Sequence, residues 1–161
     1  MLVILLLLIP CNIFAQGAFA DKGFKSMIGK VYRDQQELTE LSGYTSRGGT
    51  LLSDINAIDK LTGSWFSKGT TFVALFEKVN DDNMRLILDV LVIKNCKANQ
   101  ELKIGECRDG DKENAGIVAL TNTVTTERVK ALKAWNFNLD KVKIEAFSAT
   151  NVSCLAFIGD D

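Results

Sequence analysis

The 161-residue chain contains no histidine, one proline and four cysteines. Without histidine the chain cannot form a Ser-His or Cys-His nucleophile pair, an imidazole general base or the usual zinc sites. No two of the cysteines form a C-x-x-C pair, so a thioredoxin-like redox centre is unsupported. These absences exclude most of the common catalytic systems before any positive feature is considered.

Basic clusters and phosphate loops are also missing. The formal net charge is −1 and there is no run of basic residues, so nothing indicates a nucleic-acid partner. The segment Gly48-Gly49-Thr50 lacks the Gly-Lys of a phosphate loop. The acidic segment 109–113 resembles the start of a calcium loop, but Asn114 replaces the required glycine and Leu120 falls at the closing ligand position. No cofactor and no metal site is therefore predicted.

Carboxylates are the remaining candidates for catalysis. Asp81, Asp82, Asp109 and Asp111 all lie in polar segments with the composition of turns, where acidic residues are ordinary. Asp89 interrupts an apolar run, and we expect it to accept backbone hydrogen bonds rather than to catalyse a reaction. No catalytic residue is predicted, and a histidine-free hydrolase that uses carboxylates stays the alternative.

The first fifteen residues have the pattern of a secretory signal. An apolar core from Leu2 to Ile9 is too short to span a bilayer, and Pro10 and small residues follow it. We expect cleavage after Ala15, which would leave residues 16–161 as one soluble periplasmic or secreted domain without a membrane span. A lipid anchor at Cys11 stays open, although Pro10 stands where a small residue is usual.

The segment 84–120 predicts the centre of a β-sheet. Residues 85–94 carry apolar side chains on both faces at period two, which is typical of a strand covered on both sides. Residues 70–78 have the same character, and the turn-forming residues 80–83 between them predict an antiparallel hairpin. Further strands are predicted at 101–108, at 116–122, in a hairpin formed by 135–137 and 142–146, and at 152–157.

Three segments predict helices. Asp34 begins residues 34–41 with Glu37 in the position of a capping box, and residues 50–61 place Leu52, Ile55 and Ile58 at helical spacing. A third helix is predicted to begin at residue 125 or 126 and to run towards Trp135. The prediction is therefore an α+β domain, with an antiparallel sheet of five to six strands and two to three packed helices.

Five short motifs follow one another in the C-terminal half: segments 86–91, 105–108, 117–120, 133–135 and 152–154. In this order they resemble small exported bacterial proteins of uncharacterised function with a G-x-C-R … K-A-W … V-x-C pattern. Asn151 stands where that pattern has glycine, and its Asn-Glu-Gly tail is absent. The resemblance implies a disulfide between Cys107 and Cys154, whereas the residues alone leave a Cys96–Cys107 pair open.

We therefore expect an exported, non-catalytic binding or inhibitor-type protein whose partner is another envelope or extracellular protein. Trp65 and Phe66 form the candidate partner surface, although core packing is the more usual role for adjacent aromatic residues. The alternatives are the carboxylate hydrolase and a structural or stress-related envelope protein.

Overall fold

The computed structural model describes residues 22–156, except residues 55 and 125. The predicted signal, Cys11 and the last residue of the predicted 152–157 strand lie outside this range. Strands make up 54% of the described residues and helices 8%, and no helix among them reaches seven residues. The α+β prediction is therefore wrong, because the protein is mostly β.

In the part of the chain that the structure describes, twelve strands follow one short α-helix, α1 (Lys22–Lys25). In chain order they are β1 (Val31–Tyr32), β2 (Thr45–Leu51), β3 (Lys60–Lys68), β4 (Thr71–Val79), β5 (Arg85–Ile93), β6 (Gln100–Ile104), β7 (Cys107–Asp109), β8 (Lys112–Glu113), β9 (Ile117–Asn122), β10 (Arg128–Asn138), β11 (Lys143–Phe147) and β12 (Val152–Leu155). The first sheet has five strands in the order β1-β5-β4-β3-β2. The second has seven, in the order β6-β9-β10-β12-β7-β8, with β11 paired to β10.

The main apolar core lies between the two sheets. Phe76 of β4 and Phe137 of β10 meet there with ring centroids 5.3 Å apart. Both sheets contribute large buried side chains to the same cluster, including Phe72, Leu91, Ile93, Leu102, Val118, Leu120, Trp135 and Ile144. Two sheets that share one interior in this way form a β-sandwich.

Each sheet also has a covered outer face. On the first sheet, the N-terminal segment 24–44 packs Met27, Leu38 and Leu41 against the apolar side chains of β4 and β5. On the second sheet, β7 and β12 place Cys107, Val152 and Cys154 in one cluster with residues of β9 and β10. The name N-terminal cover is used below for segment 24–44, and C-terminal cover for β7, β8 and β12.

The strand predictions for β4, β5, β9, β11 and β12 match the structure closely, and the predicted hairpin of β4 and β5 is antiparallel. The predicted strand 101–108 is divided into β6 and β7 by Gly105, which has φ +83°. β5 is buried on both faces, since its side chains enter both the inter-sheet core and the outer cluster of the first sheet.

The first predicted helix, 34–41, is two short 3₁₀ turns instead, Gln35–Glu37 and Thr39–Leu41. The capping box of Asp34 and Glu37 does form. In a 3₁₀ turn, residues three apart lie on one face, so Leu38 and Leu41 both pack onto the sheet.

The other two helix predictions are wrong because apolar spacing was mistaken for a helical face. In segment 50–61 the chain leaves β2 at Leu51 and enters β3 at Lys60, and Ile58 is 88% exposed in the loop. In β10 the register with β9 shifts between Ala131 and Lys133. Leu132 lies at this β-bulge and is 46% exposed, so it does not share a buried face with Val129 and Trp135.

Candidate functional site

A row of polar side chains crosses the outer face of the first sheet. Tyr32 of β1 is aligned with Arg85 of β5. Glu77 of β4 is aligned with Thr62 of β3, and Ser64 lies two residues further along β3. In this way four neighbouring strands each bring at least one polar group to one part of an otherwise apolar face.

The centre of the row is Glu77, whose side chain is fully buried. Its Oε1 accepts a hydrogen bond from the Tyr32 phenol. Its Oε2 accepts from Ser64 Oγ at 2.6 Å and from Arg85 Nη1 at 3.2 Å. A buried carboxylate requires such donors and a compensating cation, and the guanidinium of Arg85 supplies the positive charge.

Tyr32 is held in its protonated form. Burial raises the pKa of its phenol far above the usual value, and the negative charge of Glu77 raises that pKa further. A phenol with such a pKa donates a hydrogen bond at neutral pH and does not act as a general base. The four groups therefore form a fixed hydrogen-bonded cluster, called the Glu77 cluster below.

A cavity of about 490 Å³ lies over this cluster. This volume is within the range of roughly 300–1,000 Å³ that is usual for small-molecule sites. The three residues that donate to Glu77 belong to its wall, which consists of Tyr32, Arg33, Gln35, Ser46, Gly48, Gly49, Thr50, Thr62, Gly63, Ser64, Phe66 and Arg85. Glu77 thus fixes the positions of three side chains that a bound molecule would meet.

Two glycine positions shape the wall. Gly48 of β2 has φ +135°, a backbone conformation that side chains disfavour. A Cβ on Gly63 would lie 2.5 Å from a ring carbon of Phe137, so only glycine lets the inter-sheet core pack beneath this part of β3. The cavity therefore lies where β2 and β3 lack bulky side chains.

Thr62 contributes a buried polar atom to the wall. Its Oγ1 is inaccessible to solvent and has no hydrogen-bond partner among the residues that the structure describes. A buried hydroxyl without a partner typically costs about 1–3 kcal/mol.

The predicted partner residues Trp65 and Phe66 lie on opposite faces of β3. Phe66 is 4% exposed, belongs to the outer cluster and lines the cavity. Trp65 is half-buried on the inner face, where its ring meets Phe72 edge-on with centroids 6.3 Å apart. The two rings therefore do not form one continuous surface, and both take part in core packing.

The candidate carboxylates lie apart from the cavity wall. Asp81 and Asp82 are exposed in the turn between β4 and β5, and Asp109 and Asp111 are exposed at the turn between β7 and β8. Asp89 accepts backbone hydrogen bonds as expected. Its Oδ2 accepts from the Ile144 amide of β11 at 2.7 Å, so it joins the two sheets.

The disulfide between Cys107 and Cys154 is confirmed, and it joins neighbouring positions of β7 and β12. Cys96 is a free, buried thiol. Burial raises the pKa of that thiol, and the charge of Lys133 only partly opposes this effect.

Sequence reasoning missed the Glu77 cluster. The signal was present, because Glu77 follows Val73 and Leu75 at period two and therefore falls on a face that is otherwise apolar. Arg85 comes from the other strand of the predicted hairpin, but Tyr32 and Ser64 come from β1 and β3, which were not predicted as strands, and the sheet order brings them to that carboxylate. No family model, curated protein or solved structure matches this chain, so the cavity and its residues stand on their geometry alone.

Proposed function

We propose that the protein is an exported, non-catalytic binding protein whose ligand site is the cavity over the Glu77 cluster. One observation carries the proposal: the buried Glu77 carboxylate holds Tyr32, Ser64 and Arg85 in fixed positions in a cavity wall. Groups that are pre-organised by a buried partner lose little entropy when a ligand binds them. The arrangement therefore suits recognition.

The same contacts argue against catalysis at this site. Both oxygens of Glu77 already accept hydrogen bonds, and the Glu77 side chain is closed to solvent. A general acid or base must reach the proton that it transfers in a bound substrate. The carboxylate hydrolase is for this reason the weaker alternative.

Export is supported by three features. The Cys107–Cys154 bridge is typical of proteins in oxidising compartments. Residues 1–15 have the pattern of a secretory signal, and the C-terminal motifs resemble those of small exported bacterial proteins. No helix in the described range 22–156 is long and apolar enough to cross a membrane.

The binding proposal can be tested by blocking the cavity. Ser46 is exposed at the cavity wall, so Ser46→Trp should fill the opening without disturbing the core. Thr45 is exposed one residue earlier in the same strand and does not line the cavity, so Thr45→Trp is the matched control. The assay is a saturation-transfer NMR screen of a library of polar small molecules.

We expect compounds that bind the wild type and the Thr45→Trp variant but not the Ser46→Trp variant. A screen in which no compound distinguishes the two variants would contradict the proposal. Turnover of a hydrolase substrate that is lost on Glu77→Gln would instead favour the enzyme. Capture of an envelope protein equally by both tryptophan variants would favour a protein partner away from the cavity.

A further inference from the structure

The charges at the cavity restrict the ligand. Arg33 and Arg85 line the wall, Glu77 lies directly beneath it, and the Glu37 carboxylate interacts with the charge of Arg33, so these groups together carry at most about one positive charge. Within residues 22–156, the only acceptor that the Arg85 guanidinium contacts is Glu77, through Nη1. Arg85 is partly exposed, with 37% of its side chain accessible, and its remaining N–H donors form the fork that suits a carboxylate.

The neutral groups of the wall restrict the ligand further. Hydroxyls and one amide surround the guanidinium groups: Gln35, Ser46, Thr50, Thr62 and Ser64. Such side chains both donate and accept hydrogen bonds, which is what the hydroxyls of a ligand require. Phe66 supplies an apolar part of the same wall. The lining therefore combines a cationic end with several hydroxyl partners and one apolar ring.

We infer that the cavity binds a small hydroxylated monoanion, of the class of sugar acids, with its carboxylate at Arg85 and Arg33. This inference rests on the proposed binding function and specifies its ligand class. A single net positive charge matches a carboxylate monoanion better than a phosphate dianion, which would leave one negative charge uncompensated.

The test is a ¹H–¹⁵N NMR titration of the full mature chain with three probes that share one ring skeleton. They are glucuronate, glucose and glucose 6-phosphate. We expect glucuronate to shift the backbone amides of Thr62, Ser64 and Gly49 with saturation. Glucose should bind at least about tenfold more weakly than glucuronate, because it cannot form charge-assisted hydrogen bonds with the guanidinium groups.

Two substitutions assign the charge and the hydroxyl. Arg33→Gln should weaken glucuronate binding by about fivefold, as is usual for a partly solvated ion pair. Arg47 lies in β2 and does not line this cavity. Arg47→Gln also removes one positive charge, so it is the matched control and should leave the affinity for glucuronate unchanged. Ser46→Ala removes one exposed hydroxyl of the wall and should weaken binding by between about twofold and tenfold, through one lost hydrogen bond.

The outcomes separate the inference from the function on which it rests. Equal binding of glucose and glucuronate at the same amides would overturn the anion inference and leave the binding function in place. Tighter binding of glucose 6-phosphate than of glucuronate would show that the cavity prefers a phosphate to a carboxylate as the anionic group of its ligand. If no probe shifts these amides while library compounds still distinguish Ser46→Trp from Thr45→Trp, the ligand class is wrong. If neither experiment shows binding, the proposed function fails as well.

Discussion

The two outer faces of the sandwich are covered in different ways. The N-terminal cover packs large side chains, including Met27, Leu38 and Leu41, against the first sheet without any covalent link. The C-terminal cover packs small residues such as Ala119 and Ala134 around the Cys107–Cys154 bridge. Small side chains gain little from burial, since apolar stabilisation scales with the area removed from water. The bridge therefore stands where side-chain packing is weakest.

The difference extends to the polar groups. The N-terminal cover carries Tyr32, and that phenol completes the Glu77 cluster beside a cavity. The C-terminal cover closes over the second sheet, with the disulfide fully buried. A cover held by packing and hydrogen bonds can form the wall of a site, whereas the covalently fixed cover stabilises the fold.

Removing the disulfide should have the largest effect. On the chain-entropy model, a bridge between residues 47 apart in sequence contributes about 4 kcal/mol to the free energy of unfolding. The Cys107→Ser/Cys154→Ser double variant should lose a comparable amount in urea unfolding followed by tryptophan fluorescence. Cys96→Ser is the control and should show only a smaller effect of packing. A non-reducing peptide map with a Cys96–Cys107 pair and a free Cys154 would contradict the assignment.

Truncating the N-terminal cover should come next. Leu41 is 2% exposed in the outer cluster of the first sheet, so Leu41→Ala should cost about 3 kcal/mol in the free energy of unfolding. This variant should also weaken glucuronate binding, because the cover supplies part of the cavity wall. The disulfide double variant, measured well below its melting temperature, should bind normally. Normal glucuronate binding by Leu41→Ala, together with weakened binding by the disulfide double variant, would contradict the comparison.

The bond between the sheets should contribute less than either cover. Asp89→Ala leaves the Ile144 amide without the acceptor it has at 2.7 Å, and this should cost about 1–3 kcal/mol. Asp81→Ala, in the exposed turn after β4, is the matched control and should change the free energy of unfolding by less than about 0.5 kcal/mol. Equal effects of the two substitutions would show that Asp89 does not link the sheets.

Acid should weaken the N-terminal cover modestly. The hydrogen bond from Lys30, at 2.5 Å, lowers the pKa of Glu40 from 4.5 to about 2, despite the opposing effect of burial. Because the folded-state pKa is the lower one, this stabilisation is complete above about pH 4.5 and is lost as the pH falls towards 2. Glu40→Gln should flatten that part of the pH profile of unfolding. An unchanged profile would exclude this ion pair as the cause.

The sequence predicted local features better than the long-range ones. The alternation in β4 and β5, the Asn-Asp turn between them and the capping box at Asp34 all depend on neighbouring residues, and all are present. The helix prediction over β10 depended on Leu132, which lies at the β-bulge and is 46% exposed. β2, with Gly48 and Gly49 and a mostly exposed surface, gave no periodic apolar signal at all.

The candidate site could not be read from the sequence for a related reason. Glu77 is visible as an anomaly in an apolar segment, but its partners come from residues 45 positions earlier and 8 positions later. The sheet order that brings them together depends on tertiary packing, which short-range patterns do not contain. The disulfide was anticipated through the resemblance of the C-terminal motifs and not through spacing.

The most direct test asks which covered face holds the ligand. Hydrogen exchange of the wild type, followed by mass spectrometry with and without saturating glucuronate, measures protection of both covers in one experiment. We predict slower exchange in segments 30–36 and 62–66, around Tyr32 and Ser64, and unchanged exchange in β7 and β12. Protection confined to β7 and β12, or no change in either cover, would contradict the assignment of the site to the first sheet.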